Sequence, residues 1–146
     1  AVFDVIVAWA LYELYKKHPL STLSTYFRII HAIIMGVAVF ALPLALTLTT
    51  EEGILRQAAT FNTIWFIGLF FFGVHLILLA NILKRPKWIA AFLAVAGVMY
   101  ILDTSAHFII ADYGAYAGIF LVLVALPSVI GEMALAIWLL IKGGKK

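Results

Sequence analysis

The sequence predicts an all-α fold, a polytopic bundle of transmembrane helices, from three observations. Hydrophobic residues make up 66% of the 146 residues and charged residues only 12%, with a mean hydropathy of +1.14. Charged residues make up about a quarter of a typical soluble domain, so this composition excludes a soluble domain. The apolar residues form long runs separated by short basic or polar connections. Five spans of about 20 residues fill this length, which predicts one transmembrane domain over residues 1–146.

The first two predicted spans come before a polar segment. Span one covers residues 1–15 and ends at Lys16. Its first residues resemble the middle of a helix, so we expect upstream sequence to be missing. Span two covers residues 29–48 and starts after Arg28, which we place at the membrane surface as a basic anchor. Pro43 predicts a kink in this span.

The next two spans follow the polar segment, in which Gly53 predicts a break before a short interfacial helix. Span three covers residues 61–83, and Asn62 is expected to cap it. Span four lies within residues 85–107 and carries a fifteen-residue run without charge. The connection between the two spans is so short that they must be antiparallel neighbours.

The fifth span, residues 114–141, contains Pro127 and is long enough to tilt or protrude. Nine of the ten basic residues then fall on one side of the membrane, with only Arg56 opposite. The positive-inside rule makes that side the cytoplasm, so we expect an inner-membrane protein with a cytoplasmic C-terminus. The first predicted span then begins on the outer side. We therefore expect the parent protein to have a sixth, earlier span and both termini in the cytoplasm. The nine residues are Lys16, Lys17, Arg28, Lys84, Arg85, Lys87, Lys142, Lys145 and Lys146.

Small residues predict where helices approach closely. Ala90, Ala94 and Gly97 lie on one face of span four, and Gly114 with Gly118 forms a GxxxG pattern at the start of span five. We expect each set to be a helix contact within the monomer or, as the alternative, a contact between subunits.

Ionisable residues inside a membrane helix are unfavourable by about 2.5 to 3.5 kcal/mol, which makes each one a candidate for function. Counting about 1.5 Å per residue from the basic anchors places Asp4, His75 and Glu132 in one layer. Two interpretations are open: a buried site (a proton relay, a ligand set or the floor of a cavity), or a structural hydrogen-bonded cluster. We expect His75 to hydrogen-bond Glu132. The same count leaves His31 near the basic surface.

Asp103 and His107 form a second polar set near the opposite surface. Their i, i+4 spacing places them on one helix face, where they can pair. Either the Asp103 carboxylate orients the His107 imidazole for a function, or the two residues form an interfacial hydrogen bond that ends the span.

Several classes of chemistry are not expected. The chain has no cysteine, and no HExxH, GxSxG or glycine-rich phosphate loop, so no catalytic residue and no metal site are predicted. A haem held by two histidines is excluded by their different predicted depths. The basic residues form no stripe, so nucleic acid is not an expected partner.

The runs VFDVIVAWALYEL, FFFGVHLILL, RPKWIAAFLAVAGVMYILDTSAHF and SVIGEMALAIWLLIKG resemble a prokaryotic integral-membrane family, domain of unknown function four-three-eight-six. The resemblance covers nearly the whole chain and implies a membrane bundle with an additional N-terminal helix, but no activity. The tip before Pro86 is shorter than in the family, and Ala90 replaces a usual Gly. The family-like positions are Asp4, Tyr12, His75, Pro86, Gly97, Tyr100, Asp103, Gly131, Glu132, Trp138 and Gly143.

The sequence therefore leads to a first hypothesis of an accessory or scaffold subunit that packs against membrane lipids and other membrane protein subunits. The alternative is binding, transport or sensing of a small molecule, lipid or quinone at the Asp/His/Glu site, and a membrane enzyme is third. No cofactor is predicted, although a bound lipid or quinone fits the alternative.

Overall fold

The structure, a computed structural model, describes residues 1–142 and is helical throughout, with no strand in that range. The prediction of an all-α chain is confirmed. Four helical stretches are long and apolar enough to cross a membrane: Ser21–Ala45, Glu51–Ile82, Lys87–Ile109 and Tyr113–Lys142. The helices are α1 (Val2–Tyr15), α2 (Ser21–Val39), α3 (Ala41–Ala45), α4 (Glu51–Ile82), α5 (Lys87–Ile109) and α6 (Tyr113–Lys142).

Helix α1 corresponds to the first predicted span but has only 14 residues. At 1.5 Å per residue it rises about 21 Å, short of a hydrocarbon core of about 30 Å. It ends before Lys16, whose ammonium group donates to Glu13 at 2.7 Å. Four of the five predicted spans are therefore present at full length.

The predicted start of the second span is wrong by eight residues, because α2 begins at Ser21 and not after Arg28. Ser21 and Ser24 are buried against the bundle, and the Thr25 hydroxyl donates to the carbonyl of Ser21 one turn earlier. Hydroxyl groups satisfied in this way are compatible with a membrane helix. Arg28 consequently lies two turns inside α2, not at the surface.

Pro43 interrupts the helix near the position predicted for the kink. Proline lacks the N–H that would bond the carbonyl four residues earlier, at Val39. The α2 helix ends at Val39, and α3 begins after the single residue Phe40.

Helix α4 is longer than predicted and begins at Glu51. The Thr50 hydroxyl caps it by accepting from the N–H of Gly53 at 3.3 Å, and two glutamates occupy the first turn, where the helix dipole favours negative charge. The predicted break at Gly53 is thus wrong. Asn62 lies inside the helix and caps nothing.

The helices pack in the order α1, α2, α4, α5 and α6, with α3 resting against α4. Helices α4 and α5 are antiparallel neighbours, joined by a short connection with a cis Arg85–Pro86 peptide bond. Their closest approach is at Gly73 and Gly97. A Cβ added to Gly97 would lie 2.5 Å from the Gly73 carbonyl oxygen, and one added to Gly73 would lie 2.6 Å from the Gly97 carbonyl oxygen.

The other predicted packing residues differ in their surroundings. Ala90 packs against the buried core, and Ala94 is half-buried on the same helix. Gly114 and Gly118 are exposed, and a Cβ at either would meet nothing within 4 Å. The GxxxG pattern therefore makes no helix contact in the described monomer, which corrects that expectation.

The exterior of the bundle is apolar, as lipid contact requires. Large side chains such as Leu121 and Leu140 are 67% and 87% exposed, while the core is a modest cluster around Leu76, Ile89 and Leu93. In water such a surface would be strongly unfavourable, so it indicates a membrane protein.

Most of the basic side chains of the described residues lie at one end of the bundle. Residues 17–18 and 83–85 line a common pocket, so the α1–α2 and α4–α5 connections lie together, and α6 ends on the same side. We call this end the basic face; its described residues are Lys16, Lys17, Lys84, Arg85, Lys87 and Lys142. Arg28 does not belong to it, and Lys145 and Lys146 lie outside the described residues.

Candidate functional site

The inner polar site is organised around Arg28, a residue that we had assigned to the surface. Its side chain is 12% exposed. One terminal nitrogen donates to the Asp4 carboxylate at 3.1 Å, and the other lies 3.2 Å from Nε2 of His75. The guanidinium carbon also lies 5.3 Å from the centroid of the Phe72 ring, within the range of a cation–π contact. Arg28 therefore joins α1, α2 and α4.

The hydrogen bonds of His75 determine which ring nitrogen carries its proton. Nδ1 lies 2.9 Å from the carbonyl oxygen of Ser24, which can only accept, so Nδ1 is the donor. The Ser24 hydroxyl lies at the same distance from this nitrogen. Nε2 then accepts from Arg28. His75 is thus a neutral imidazole that holds the guanidinium in place, a role in which the ring orients a neighbouring charge.

The predicted hydrogen bond between His75 and Glu132 is not made, because both nitrogens of His75 already have partners on α2. Glu132 instead lies across a cavity from Arg28. The cavity has a volume of about 250 Å³, and both side chains line it. The structure thus brings Asp4 and His75 together through Arg28, while Glu132 is the fourth polar group of the same region.

The remaining walls of this cavity are aliphatic. They come from α1, α4, α5 and α6, at the place where α1 and α6 face each other without close backbone packing. The wall residues are Val7, Leu11, Leu76, Leu79, Leu93, Leu135, Ala136 and Leu139. The cavity is therefore a mainly hydrophobic space with one cationic and one acidic group.

Two polar groups of this site have no protein partner. Nε of Arg28 is buried and makes no hydrogen bond, and residues 1–142 provide no hydrogen-bond partner for the Glu132 carboxyl. Buried donors and acceptors are nearly always paired in native proteins. A donor and a carboxyl group that both adjoin a cavity can bind a molecule that carries an acceptor and a donor.

His31 lies closer to this region than predicted. With α2 starting at Ser21, it is about 15 Å along the helix, where its Nδ1 donates to the Gly68 carbonyl at 2.9 Å. The Phe72 ring lies between the two histidines, with its centroid 4.7 Å from that of His31 and 5.9 Å from that of His75. The Phe72 ring therefore contacts both imidazoles.

The outer polar pair is also arranged differently from the prediction. Asp103 is buried and accepts a hydrogen bond from the Tyr113 hydroxyl at 2.6 Å. His107 does not pair with it. Its ring stacks on Phe66, with centroids 4.0 Å apart, and meets the edge of Tyr113. Asp103 and His107 are one turn apart on α5, but the hydrogen bond to Asp103 comes from Tyr113 at the start of α6. No three His, Asp or Glu side chains within residues 1–142 group closely enough to hold a metal ion.

Comparison with known proteins places the chain in a family. Residues 1–143 match the family described as Domain of unknown function (DUF4386). The chain belongs to this family. A relative described as an uncharacterized protein of Archaeoglobus fulgidus is 31% identical over 150 residues. The match covers 99% of this chain and 79% of that protein. No solved structure matches.

Arg28 is the functional candidate that sequence reasoning missed in this DUF4386 chain. A basic residue directly before a clear apolar run resembles a surface anchor, and the preceding serines and threonines resemble a loop. The available signal was Asp4, because a carboxylate inside an apolar helix requires a cation or a strong donor.

Proposed function

We propose that this protein binds a small amphipathic molecule of the lipid or quinone class inside the membrane. The observation that supports this is one aliphatic cavity that Arg28 and Glu132 both line, together with a Glu132 carboxyl that has no hydrogen-bond partner among residues 1–142. The ligand presents a hydrogen-bond acceptor to Arg28 and a donor to Glu132, and its apolar part lies along the leucines. His75 and Asp4 orient the guanidinium.

The cavity resembles a binding site more than a structural cluster. In a purely structural cluster, each buried polar group has its partner within the protein. Here His75, Asp4 and two nitrogens of Arg28 are satisfied, while the half-buried carboxyl of Glu132, which lines the cavity, has no hydrogen-bond partner among residues 1–142. Ligand pockets are typically apolar with a few convergent polar groups, which is the composition of this space.

The test uses Glu132→Leu, which removes the carboxyl group without breaking any hydrogen bond between residues 1–142. We expect the variant to fold with a stability within about 1 kcal/mol of the native protein. The native protein, purified in mild detergent and extracted with organic solvent, should release one small molecule per chain by mass spectrometry. E132L should release much less.

The matched control is Glu52→Leu, which changes a carboxylate at the exposed start of α4 and should leave the extracted molecule unchanged. Native protein with no extractable small molecule would refute the proposal. Equal amounts from native protein and E132L would refute the assignment to this cavity.

The second candidate is the accessory subunit of the first hypothesis. The observation that favours it is the open face of α6 at Gly114 and Gly118, since this helix packs mainly on α5 among the described helices. A partner helix could approach closely there. Cross-linking from a cysteine at Gly118 in native membranes should yield one defined adduct; monomer alone would count against a subunit role.

A further inference from the structure

A second pocket, with a volume of about 580 Å³, opens at the basic face between the ends of α1, α4 and α6. Its interior is apolar and is formed by Leu14, Ile82, Leu83 and Trp138. Trp138 lies six residues beyond Glu132 on α6, about 9 Å along the helix, so this pocket is separate from the Arg28 cavity. It is placed where the apolar bundle meets the polar surface.

The rim of this pocket is basic. Lys17 and His18 contribute from the α1–α2 connection, and Lys84 and Arg85 contribute from the α4–α5 connection. The Nδ1 atom of His18 accepts from the N–H of Leu20 at 3.3 Å, so its Nε2 carries the proton and can donate outward. Donors from two separate connections therefore surround one opening.

No carboxylate of the described chain neutralises this rim. Among residues 1–142, the salt bridges involve none of Lys17, Lys84 or Arg85. Glu13 is the acidic residue nearest in sequence, and it is held by Lys16 at 2.7 Å. The rim thus carries an excess of positive charge beside an apolar space, and this combination matches a molecule with an anionic head and a hydrocarbon tail.

We propose that this pocket binds an anionic phospholipid. The phosphate accepts hydrogen bonds from Lys84, Arg85 and Lys17, and the start of one acyl chain lies against Trp138 and Leu83. A soluble anion would gain nothing from the apolar interior, and a zwitterionic lipid would bring its own ammonium group to the basic rim. Basic pockets between membrane helices are known sites for acidic headgroups.

The experiment is native mass spectrometry of the full chain in detergent, with added phosphatidylglycerol or phosphatidylcholine of identical acyl chains. We expect phosphatidylglycerol to remain bound preferentially to the native protein. The double variant K84Q/R85Q should lower its retention about tenfold or more, because it removes two of the charges that hold the acidic headgroup. An excess of inorganic phosphate, used alone as competitor, should not displace the lipid.

The matched control is K87Q/K142Q, which removes the same charge from the same face but from residues outside the pocket lining. Its retention should stay within about twofold of the native protein. Equal losses in the two double variants would overturn the proposal in favour of general charge attraction. Equal retention of the two lipids by the native protein would overturn it without any variant, as would displacement by phosphate.

Fluorescence gives a second measurement on the same site. Phosphatidylglycerol with brominated acyl chains should quench native protein more than brominated phosphatidylcholine does, because Trp138 lines the pocket. Trp138→Phe should remove this difference, while Trp9→Phe, a change of an exposed residue on α1, should preserve it. A difference that persists in W138F would contradict the assignment.

Discussion

The guanidinium of Arg28 hydrogen-bonds in two directions, to Asp4 on α1 and to His75 on α4. Removing one member of a buried ion pair leaves the other charge without a partner. Asp4 keeps 28% of its side-chain exposure, so solvent reduces the effect but does not remove it. Arg28 is therefore both part of the proposed binding site and a connection between three helices.

The first prediction concerns this ion pair. Arg28→Gln should lower the free energy of unfolding by about 1 to 3 kcal/mol, since Asp4 and His75 both lose a charged donor. The measurement is denaturation by titrated anionic detergent. Adding Asp4→Asn should recover part of the loss, because the unpaired carboxylate is then absent. The control is Arg56→Gln, which breaks an exposed pair with Glu52 and should change stability by about 0.5 kcal/mol or less. Equal losses in R28Q and R56Q would contradict the buried pair.

The second prediction concerns the protons of two histidines. Nitrogen-15 NMR of histidine-labelled protein should show Nδ1 of His75 protonated and Nε2 unprotonated, because Nδ1 donates to the Ser24 carbonyl. His18 should show the reverse tautomer when neutral, because its Nδ1 accepts from the N–H of Leu20. The variant H75Q identifies the first signal. An Nε2-protonated His75 would mean that Arg28 does not donate to it.

At the scale of the helices, the α4–α5 contact depends on two glycines that approach each other's backbone. An added methyl group would meet a carbonyl oxygen of the facing helix, which cannot move away as a flexible side chain can. Overpacking of this kind typically costs about 1 to 3 kcal/mol. The sequence had indicated Gly97 but not Gly73, because a single glycine in an aromatic-rich stretch shows no pattern.

The third prediction therefore compares glycines in two environments. Gly73→Ala and Gly97→Ala should each lower stability by about 1 to 3 kcal/mol and weaken the α4–α5 contact. Gly114→Ala and Gly118→Ala should be neutral or slightly stabilising in the isolated monomer, because alanine favours helix and meets no neighbour. The measurement is again unfolding in titrated detergent. Destabilisation by G118A in the purified monomer would show that α6 packs differently.

Helix type could be predicted from the sequence more reliably than helix ends. Long apolar runs determine α4, α5 and α6 because no other structure satisfies the backbone within a bilayer. The start of α2 could not be predicted, since four of the five residues from Ser21 to Thr25 are polar. In the structure the Thr25 hydroxyl bonds the Ser21 carbonyl within the helix, and the Ser24 hydroxyl contacts His75 on α4. The depth predicted for His31 was wrong for the same reason, because it was counted from Arg28 as a surface residue.

For the whole molecule, the arrangement of polar residues was partly predictable. The structure joins Asp4 and His75 through Arg28 and places Glu132 at the adjoining cavity. That the three residues share one membrane depth, which was inferred from residue count, stays a prediction. Which groups bond each other could not be predicted, because rotation of each helix about its axis is set by packing. Thus His75 bonds Arg28 and not Glu132, and Asp103 accepts a hydrogen bond from Tyr113 and not from His107.

The fourth prediction concerns orientation in the membrane, which we propose places the basic face in the cytoplasm. The chain has no cysteine, so single cysteines can be introduced without background. Cysteines at Glu52 and Asp112 should react with an impermeant maleimide in intact cells. Cysteines at Lys17 and Lys87 should react only after the membrane is permeabilised. The reverse pattern would overturn the orientation, and mixed labelling of one face would overturn the helix order.

The depth of the Arg28 cavity has an electrical consequence. Glu132 lies ten residues from the end of α6 at Lys142, about 15 Å, which is about half of a hydrocarbon core of about 30 Å. A ligand with one net charge that reaches this cavity from either surface crosses about half of the membrane potential. A full crossing is worth about 2.3 kcal/mol per charge at 100 mV, so half a crossing changes occupancy about sevenfold. Occupancy by a charged ligand would therefore follow the energised state of the membrane, whereas a neutral ligand would be indifferent to it.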